Sequence, residues 1–499
     1  MEGLLLLTLL AIGGVTYLIL RRSVAPLTRT PIWLLWLVVM APPVIWSGWM
    51  LVVGSERPPL LFLLLPFVVS TLLYFWLIQR GRRDANSPAG SSAARPQQAS
   101  LSVERSPAAS GSERDAPAPK LLDRDEEARL RHCFPWHVYY LQGIEQQAQA
   151  VLCRGKLRAT PEVADKTVRE NVAQQFGERF WVIFQPGPKN QPLFALVPNA
   201  RAQAGARAER LVRPGLAGGL LLASAIAATW FGAGLAGVTP QALQQRPTAL
   251  LQGVPYALAL VGVLGAGELS HYGLARAYRL RASLPYFIPF PVVGTVGAFA
   301  QLRSPLPHRQ ALFDVAIAGP LVSLLVALPV LIGGLAASST VPLSVEASLF
   351  RLDALDPRGS LLLTAASKLA LGEALGPDQA IDLAPVGLAG YIGVVVAVLK
   401  LMPVGRLDGG HIVHAMYGQR SAIAIGQVVQ LLVLALAFLD PGFLVWAIAL
   451  LFIPTIDEPA LNDVSPLDDK RDALGLLALA LLACIVLPAP EALLQAWNL

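Results

Sequence analysis

Charge is what this chain has least of. Only 14% of its 499 residues are Asp, Glu, Lys or Arg, against 54% that are hydrophobic. Soluble domains carry about a quarter charged residues, so a wholly soluble protein is excluded. Cysteine is scarce as well: Cys133, Cys153 and Cys484 stand far apart, with no C-x-x-C pair. That excludes a disulfide framework and a thiolate zinc site. The net charge of +6 does not amount to a nucleic-acid surface, because the arginines flank apolar runs instead of lining one face. The first residues, MEGLLLLTLL, lack both a basic stretch ahead of the apolar run and an Arg/Ser-rich transit pattern. They read as a first spanning helix and not as a cleaved signal.

Apolar runs, by contrast, are abundant, and several exceed the ~20 residues a membrane-crossing helix needs. Three are expected within residues 1–79, at about 4–20, 32–53 and 60–78. Arg21, Arg22 and Arg29 follow the first, and Arg80, Arg82 and Arg83 follow the third, which places both loops in the cytoplasm. Residues 80–120 are mostly Ser, Ala, Pro, Gly and charge; such a stretch cannot bury enough surface to fold and reads as a tether.

Residues 121–200 change character. HVYYLQGIEQ and AQAVLCRGKLRA predict strands, PEVADKTVRENVAQQFG an amphipathic helix with Pro in its first turn, and ERFWVIFQPG and QPLFALVPN two more strands. The order β-β-α-β-β defines a small α+β soluble domain, suited to docking a substrate or partner. His132 and His137 lie near its start but lack a third ligand, and read as surface or packing residues.

Residues 201–472 return to the membrane, with spans expected at about 215–237, 248–278, 311–335, 386–401, 422–439 and 443–454. LPYFIPFPVVGTVGAFAQ, residues 284–301, is too rich in Pro and Gly for a straight span and predicts a re-entrant hairpin. A loop of roughly fifty residues before the 386–401 span is long enough to hold structure of its own. A last span, at about 473–487, opens the C-terminal segment 473–499. Arg276, Arg279, Arg281, Arg303, Arg309, Arg406 and Arg420 all fall on the cytoplasmic side of this topology.

Inside the 248–278 span the sequence runs VGVLGAGELSHY, placing Glu268 and His271 in an apolar helix. Ionisable groups there are costly and mark a functional site. PVGRLDGGH puts Asp408 directly after another apolar helix. A carboxylate and an imidazole one helical turn apart, with a remote Asp, outline a buried metal site. In a helical H-E-x-x-H both imidazoles share a face and the Glu points at the metal-bound water. Here the register reads Gly267-Glu268-Leu269-Ser270-His271, with glycine in place of the first imidazole. His411 and His414 follow Asp408 and are the candidates for a substitute ligand. Taken singly, each residue has a plainer role: Glu268 a protonated structural acid, His271 a core histidine, Asp408 the cap of a helix starting near Gly410. Asp314 reads as a helix-start or supporting residue, and Glu373, Asp378 and Asp382 as solvated.

Glu268 to His271, then SLPYFIP at residues 283–289, AIAGP at 316–320 and MPVGRLDGGHIVHA at 402–415, resemble in order the site-2 protease family of intramembrane zinc metalloproteases. The resemblance is to the branch of cyanobacteria and chloroplasts and covers roughly residues 121–472. It implies a polytopic α-helical membrane protein with a site-2 protease-like core and the small α+β soluble domain. It also implies Glu268 as general base, His271 and Asp408 as zinc ligands, and Pro403 to Gly409 as the element positioning Asp408. Partners would be the lipid bilayer and the transmembrane segments of membrane proteins, cut by metal-bound hydroxide in a plasma or thylakoid membrane, with no nucleic acid. Two positions depart from the family pattern: Gly267 where the first zinc His stands, and Lys400 where an Asn holds substrate or oxyanion. The ammonium is expected to repel a metal unless it snorkels away. The readings are therefore a pseudoprotease that binds segments without cutting, favoured by Gly267; a working zinc endopeptidase with a substitute ligand; and, lowest, a transporter.

Overall fold

The computed structural model describes residues 13–14, 16–17, 31–52, 66, 69–70, 73, 77, 121–147, 149–187, 191–199, 213–290, 293–342, 355–439 and 443–499. The chain divides into two compact units, Met1–Glu104 and Arg105–Leu499. In the first, helix α1 (Ile32–Val52) occupies the residues expected as the second span and contains Pro42 and Pro43; its apolar stretch Ile32–Ile45 is shorter than a full crossing. Trp36 Nε1 donates to the Gly13 carbonyl at 2.8 Å. The spans expected at 4–20 and 60–78 lie mostly outside the described residues, and the tether at 80–120 lies wholly outside them.

The second unit begins with the α+β domain. Helix α2 (Arg124–His132) is followed by β1 (Tyr139–Gln146), β2 (Val151–Leu157), α3 (Pro161–Phe176), β3 (Phe180–Pro186) and β4 (Pro192–Pro198). The four strands form an antiparallel sheet in the order β1-β2-β4-β3. Alternation along β3 buries Phe180, Val182 and Phe184. Phe184 faces Phe194 across the β3–β4 register, and their rings stack at 4.2 Å. Helix α3 starts at Pro161, whose missing N–H is not needed in a first turn, and it covers this face with Ala164, Val168 and Val172. Helix α2 is absent from the sequence expectation. Its start is written as Asp123 and Glu126, whose Oε2 accepts the Asp123 N–H at 3.2 Å, half of a capping box. Cys133, Cys153 and Cys484 are all free thiols.

Four helices among the described residues are long and apolar enough to cross a membrane. They are α4 (Pro214–Leu235), the span Pro247–Ala277 containing α5 (Val254–Ala277), α6 (Arg309–Ala336), and Gln419–Ala437 within α10 (Gln419–Leu439). Helices α12 (Asp469–Val486) and α13 (Glu491–Trp497) meet at a 69° bend and make a fifth crossing if taken as one. Helix α8 (Pro385–Leu401) is apolar but shorter, and α11 (Leu444–Leu451) is too short to cross alone. Residues 284–301 are a β-hairpin, β5 (Tyr286–Phe290) with β6 (Gly294–Phe299). Between α6 and α8 the expected loop holds β7 (Ser339–Pro342) paired with β8 (Gln379–Asp382) and helix α7 (Leu361–Leu371). The Ser360 side chain caps α7 by accepting the Leu363 N–H at 3.2 Å.

Helix α6 packs along both α5 and α8. At the crossing of α6 and α8, a Cβ on Gly334 would overlap the Gly387 backbone, and one on Gly390 would come within 2.5 Å of Leu331 N. Lipid gives helices no hydrophobic reason to associate, so backbone contact through small residues carries the packing. Where the α+β domain meets this bundle, residues 461–463 serve as a strap. Phe184 on the open edge of β3 donates to the Leu461 carbonyl at 2.6 Å, and Asp463 N donates to the Phe184 carbonyl at 2.8 Å. On the other side, Leu461 N and Asn462 N donate to the carbonyls of Leu306 and Pro307 at 2.8 and 3.0 Å, just before α6.

Candidate functional site

Helix α5 places Gly267, Glu268 and His271 within one turn, on adjoining parts of a single face. Glu268 is 3% exposed. Its Oε2 accepts the N–H of Ala300 at 3.0 Å, from the chain just past β6, and its Oε1 accepts from the Lys400 ammonium at the end of α8. His271 lies between two carboxylates, with Nδ1 3.8 Å from Glu268 Oε2 and Nε2 3.5 Å from Asp408 Oδ2. Its buried Nε2 has no hydrogen-bond partner among the described residues. A Cβ on Gly319 would overlap the His271 ring, so the AIAGP stretch of α6 presents bare backbone to the imidazole.

Asp408 is the first residue of α9 (Asp408–Tyr417), whose N-cap is Leu407, with no side-chain capping bond. The plainer reading of Asp408 as a helix cap is therefore set aside. Three glycines fix its place. Gly405 has φ +47°, and a Cβ there would overlap the Pro454 carbonyl; on Gly409 it would overlap the Leu401 carbonyl, and on Gly410 the Gly405 carbonyl. The chain can thus fold back at the buried Pro403 and start α9 against the end of α8. Four of the residues singled out in the sequence, Glu268, His271, Lys400 and Asp408, come together, and Pro403 and Gly409 form the turn behind them.

Lys400 does not snorkel away from the site: its ammonium pairs with Glu268. At Gly267 a Cβ would overlap Ser323 Oγ on α6, so a side chain there requires that hydroxyl to move. Zinc sites converge three protein donors at about 2 Å. Among the described residues no three His, Cys, Asp or Glu side chains do so. His411 and His414 do not supply the third donor. Their Nδ1 atoms lie 2.7 and 2.8 Å from Asp457 Oδ2, and His414 Nε2 lies 3.1 Å from Asp463 Oδ1. The residues present do not fit a zinc ion with three protein ligands.

The remaining candidates lie elsewhere. His132 and His137 are exposed on the α+β domain. Asp314 near the start of α6 holds Arg471 of α12 through two bonds of 2.7 Å and accepts the Tyr278 hydroxyl from the end of α5. Glu373, Asp378 and Asp382 are exposed, with Asp378 3.6 Å from Arg358. Sequence reasoning missed Ser323 and Ala300, because only the packing of α6 and the hairpin against α5 brings them in. It also missed Asp457 and Asp463, which sit in a segment without periodicity.

A buried acid and imidazole on one span thus lie beside an aspartate delivered by a glycine-rich turn from another. Residues 255–439 are a site-2 protease domain, matching the family described as Peptidase family M50. The chain is homologous to the chloroplast proteins called probable zinc metalloproteases. It is 27% identical over 380 residues to "Probable zinc metalloprotease EGY2, chloroplastic" of Arabidopsis thaliana, covering 72% of this chain and 64% of that one. With the protein named EGY1 of the same plant it shares 30% identity over 243 residues, 48% and 44% of the two chains. The rice (Oryza sativa subsp. japonica) protein named EGY3 is 24% identical over 367 residues, 70% and 62%. The chain thus spans less than two thirds of the length of these relatives.

Proposed function

We propose that the protein is a multi-pass membrane protein that holds transmembrane segments of other membrane proteins in the groove of its site-2 protease domain without hydrolysing them. The observation that carries this reading is at Gly267, where no ligand atom exists and the Ser323 hydroxyl lies against the backbone. In this reading Glu268 stands at the base position and His271 and Asp408 at ligand positions, with Pro403 and Gly409 shaping the turn and Lys400 paired with Glu268. The domain limits follow the sequence: three N-terminal spans in 1–79, a tether at 80–120, the α+β domain at 121–200, the core at 201–472 and a last helix in 473–499. A plasma or thylakoid membrane is the proposed location, the latter supported by the chloroplast relatives. The competing reading, a working zinc endopeptidase, needs a third ligand, and the engagement of His411 and His414 with Asp457 and Asp463 counts against it.

The test is photocross-linking in proteoliposomes, with a photoreactive residue at Ile288 or Phe299, exposed on the β5–β6 hairpin beside the site, and a single-span substrate carrying a helix-breaking Gly-Pro at its centre. The expected result is a cross-linked segment of unchanged length. Cleavage by the wild-type protein that disappears in Glu268→Gln overturns the proposal.

A further inference from the structure

We infer that Lys400 is a resident cation: its ammonium takes over from a metal the role of countercharge to Glu268, so the pocket stays charge-paired and closed to zinc. This rests on the impaired-site reading above and deepens it. Glu268 is 3% exposed and both of its carboxylate oxygens are used, one by the Ala300 N–H and one by Lys400. A buried carboxylate without a countercharge is strongly unfavourable, and removing one member of a buried pair leaves the other uncompensated. In a zinc site the dication supplies that charge. Here the ammonium supplies it, delivered by the last turn of α8, and only 22% of the Lys400 side chain is exposed.

The arrangement excludes a metal in two independent ways. At Gly267 there is no donor atom, and a side chain there would also need the Ser323 hydroxyl to turn away. At Lys400 the exclusion is electrostatic, because a dication brought to His271 and Asp408 would meet a fixed positive charge in a medium that screens poorly. The two surviving donors, His271 Nε2 and Asp408 Oδ2, lie 3.5 Å apart with no third donor in reach among the described residues. Restoring the imidazole alone is therefore insufficient. The ligand and the charge must change together, with the Ser323 hydroxyl out of the way.

The experiment measures zinc bound per chain, by elemental analysis and by competition with a chelator, on the detergent-purified full chain. The variants are wild type, Gly267→His with Ser323→Gly, and those two changes with Lys400→Asn. Wild type is expected to hold no stoichiometric zinc, and the triple variant to bind at least about tenfold more tightly than the double. Equal affinity of the double and triple variants overturns the inference. So does wild-type zinc at one per chain that is lost in Asp408→Ala. Because these variants could fold poorly, thermal unfolding of a second set keeps the test sharp. Lys400→Met should lower the melting temperature by several degrees, and adding Glu268→Gln should recover most of the loss, since no buried charge is then left alone. Losses that simply add overturn the inference. The cross-linking assay reads the other proposal separately: a chain that traps no segment but gives the expected zinc series loses its proposed function while Lys400 keeps its role.

Discussion

His414 reaches Asp463 from a fully buried position, its Nε2 3.1 Å from Asp463 Oδ1. The same ring holds Asp457 with its other nitrogen at 2.8 Å, so one histidine of α9 ties together residues 457 and 463, the second of them in the strap. Arg309, at the first residue of α6, donates to the same Asp463 oxygen at 2.8 Å. The helix that begins with Asp408 is therefore joined through charge to the segment that edges the β-sheet.

The strap should be pH-sensitive on both flanks. Burial acts against the charged form of His414, but its bonds to Asp457 and Asp463 outweigh this and raise it from 6.5 to about 9. A raised histidine contributes stability that is full below pH 6.5 and lost as pH rises toward about 9. Burial also opposes ionisation of Asp457, but the attraction of His411 and the bonds from both imidazoles hold it at about 2, below the ordinary 3.8. Its contribution is full above 3.8 and lost as pH falls toward about 2. Melting temperature against pH in detergent should show a plateau between these limits, and His414→Gln should flatten its alkaline side. An alkaline side unchanged by that substitution contradicts the assignment.

Asp463→Ala should cost about 3–5 kcal/mol, because Arg309 and His414 both lose a buried partner. Hydrogen exchange is the informative readout. The amide of Phe184, bonded to the Leu461 carbonyl at 2.6 Å, should exchange faster, while amides between β1 and β2 keep their protection.

Gly334→Ala should separate α6 from α8, because its Cβ would overlap the Gly387 backbone. Overpacking of this kind costs about 1–3 kcal/mol. Gly333→Ala is the internal control, since a Cβ there meets nothing within 4 Å. A similar drop in melting temperature for both would mean that the crossing does not depend on close backbone approach.

Much of the architecture was legible in the sequence because it rests on periodicity. The alternation in FWVIFQP and the apolar length of residues 311–335 each report a local environment, and strand β3 and helix α6 lie where those patterns put them. Helix α2 was missed although Asp123 and Glu126 spell its start, because its nine residues average strongly polar and show no apolar stripe. At the site, the gathering of Glu268, His271 and Asp408 was readable from motif order. The partners that decide its chemistry were not. Ser323 is an ordinary helix serine until α6 is laid against α5, and the ammonium of Lys400 has a defined role only once α8 ends beside Glu268.

The strap also sets an order of events during synthesis. Phe184 lies in the part of the chain made early, whereas the carbonyl its N–H needs belongs to Leu461, near the end. At ~5–20 residues per second of translation, the edge of β3 waits roughly tens of seconds for its partner while α4, α5, α6 and α10, with the shorter apolar α8, are made and pack. Through that interval the sheet carries an unpaired strand, the form most prone to joining another chain. Arrival of residues 461–463 ends this exposure, so completion of the early domain is tied to completion of the late one.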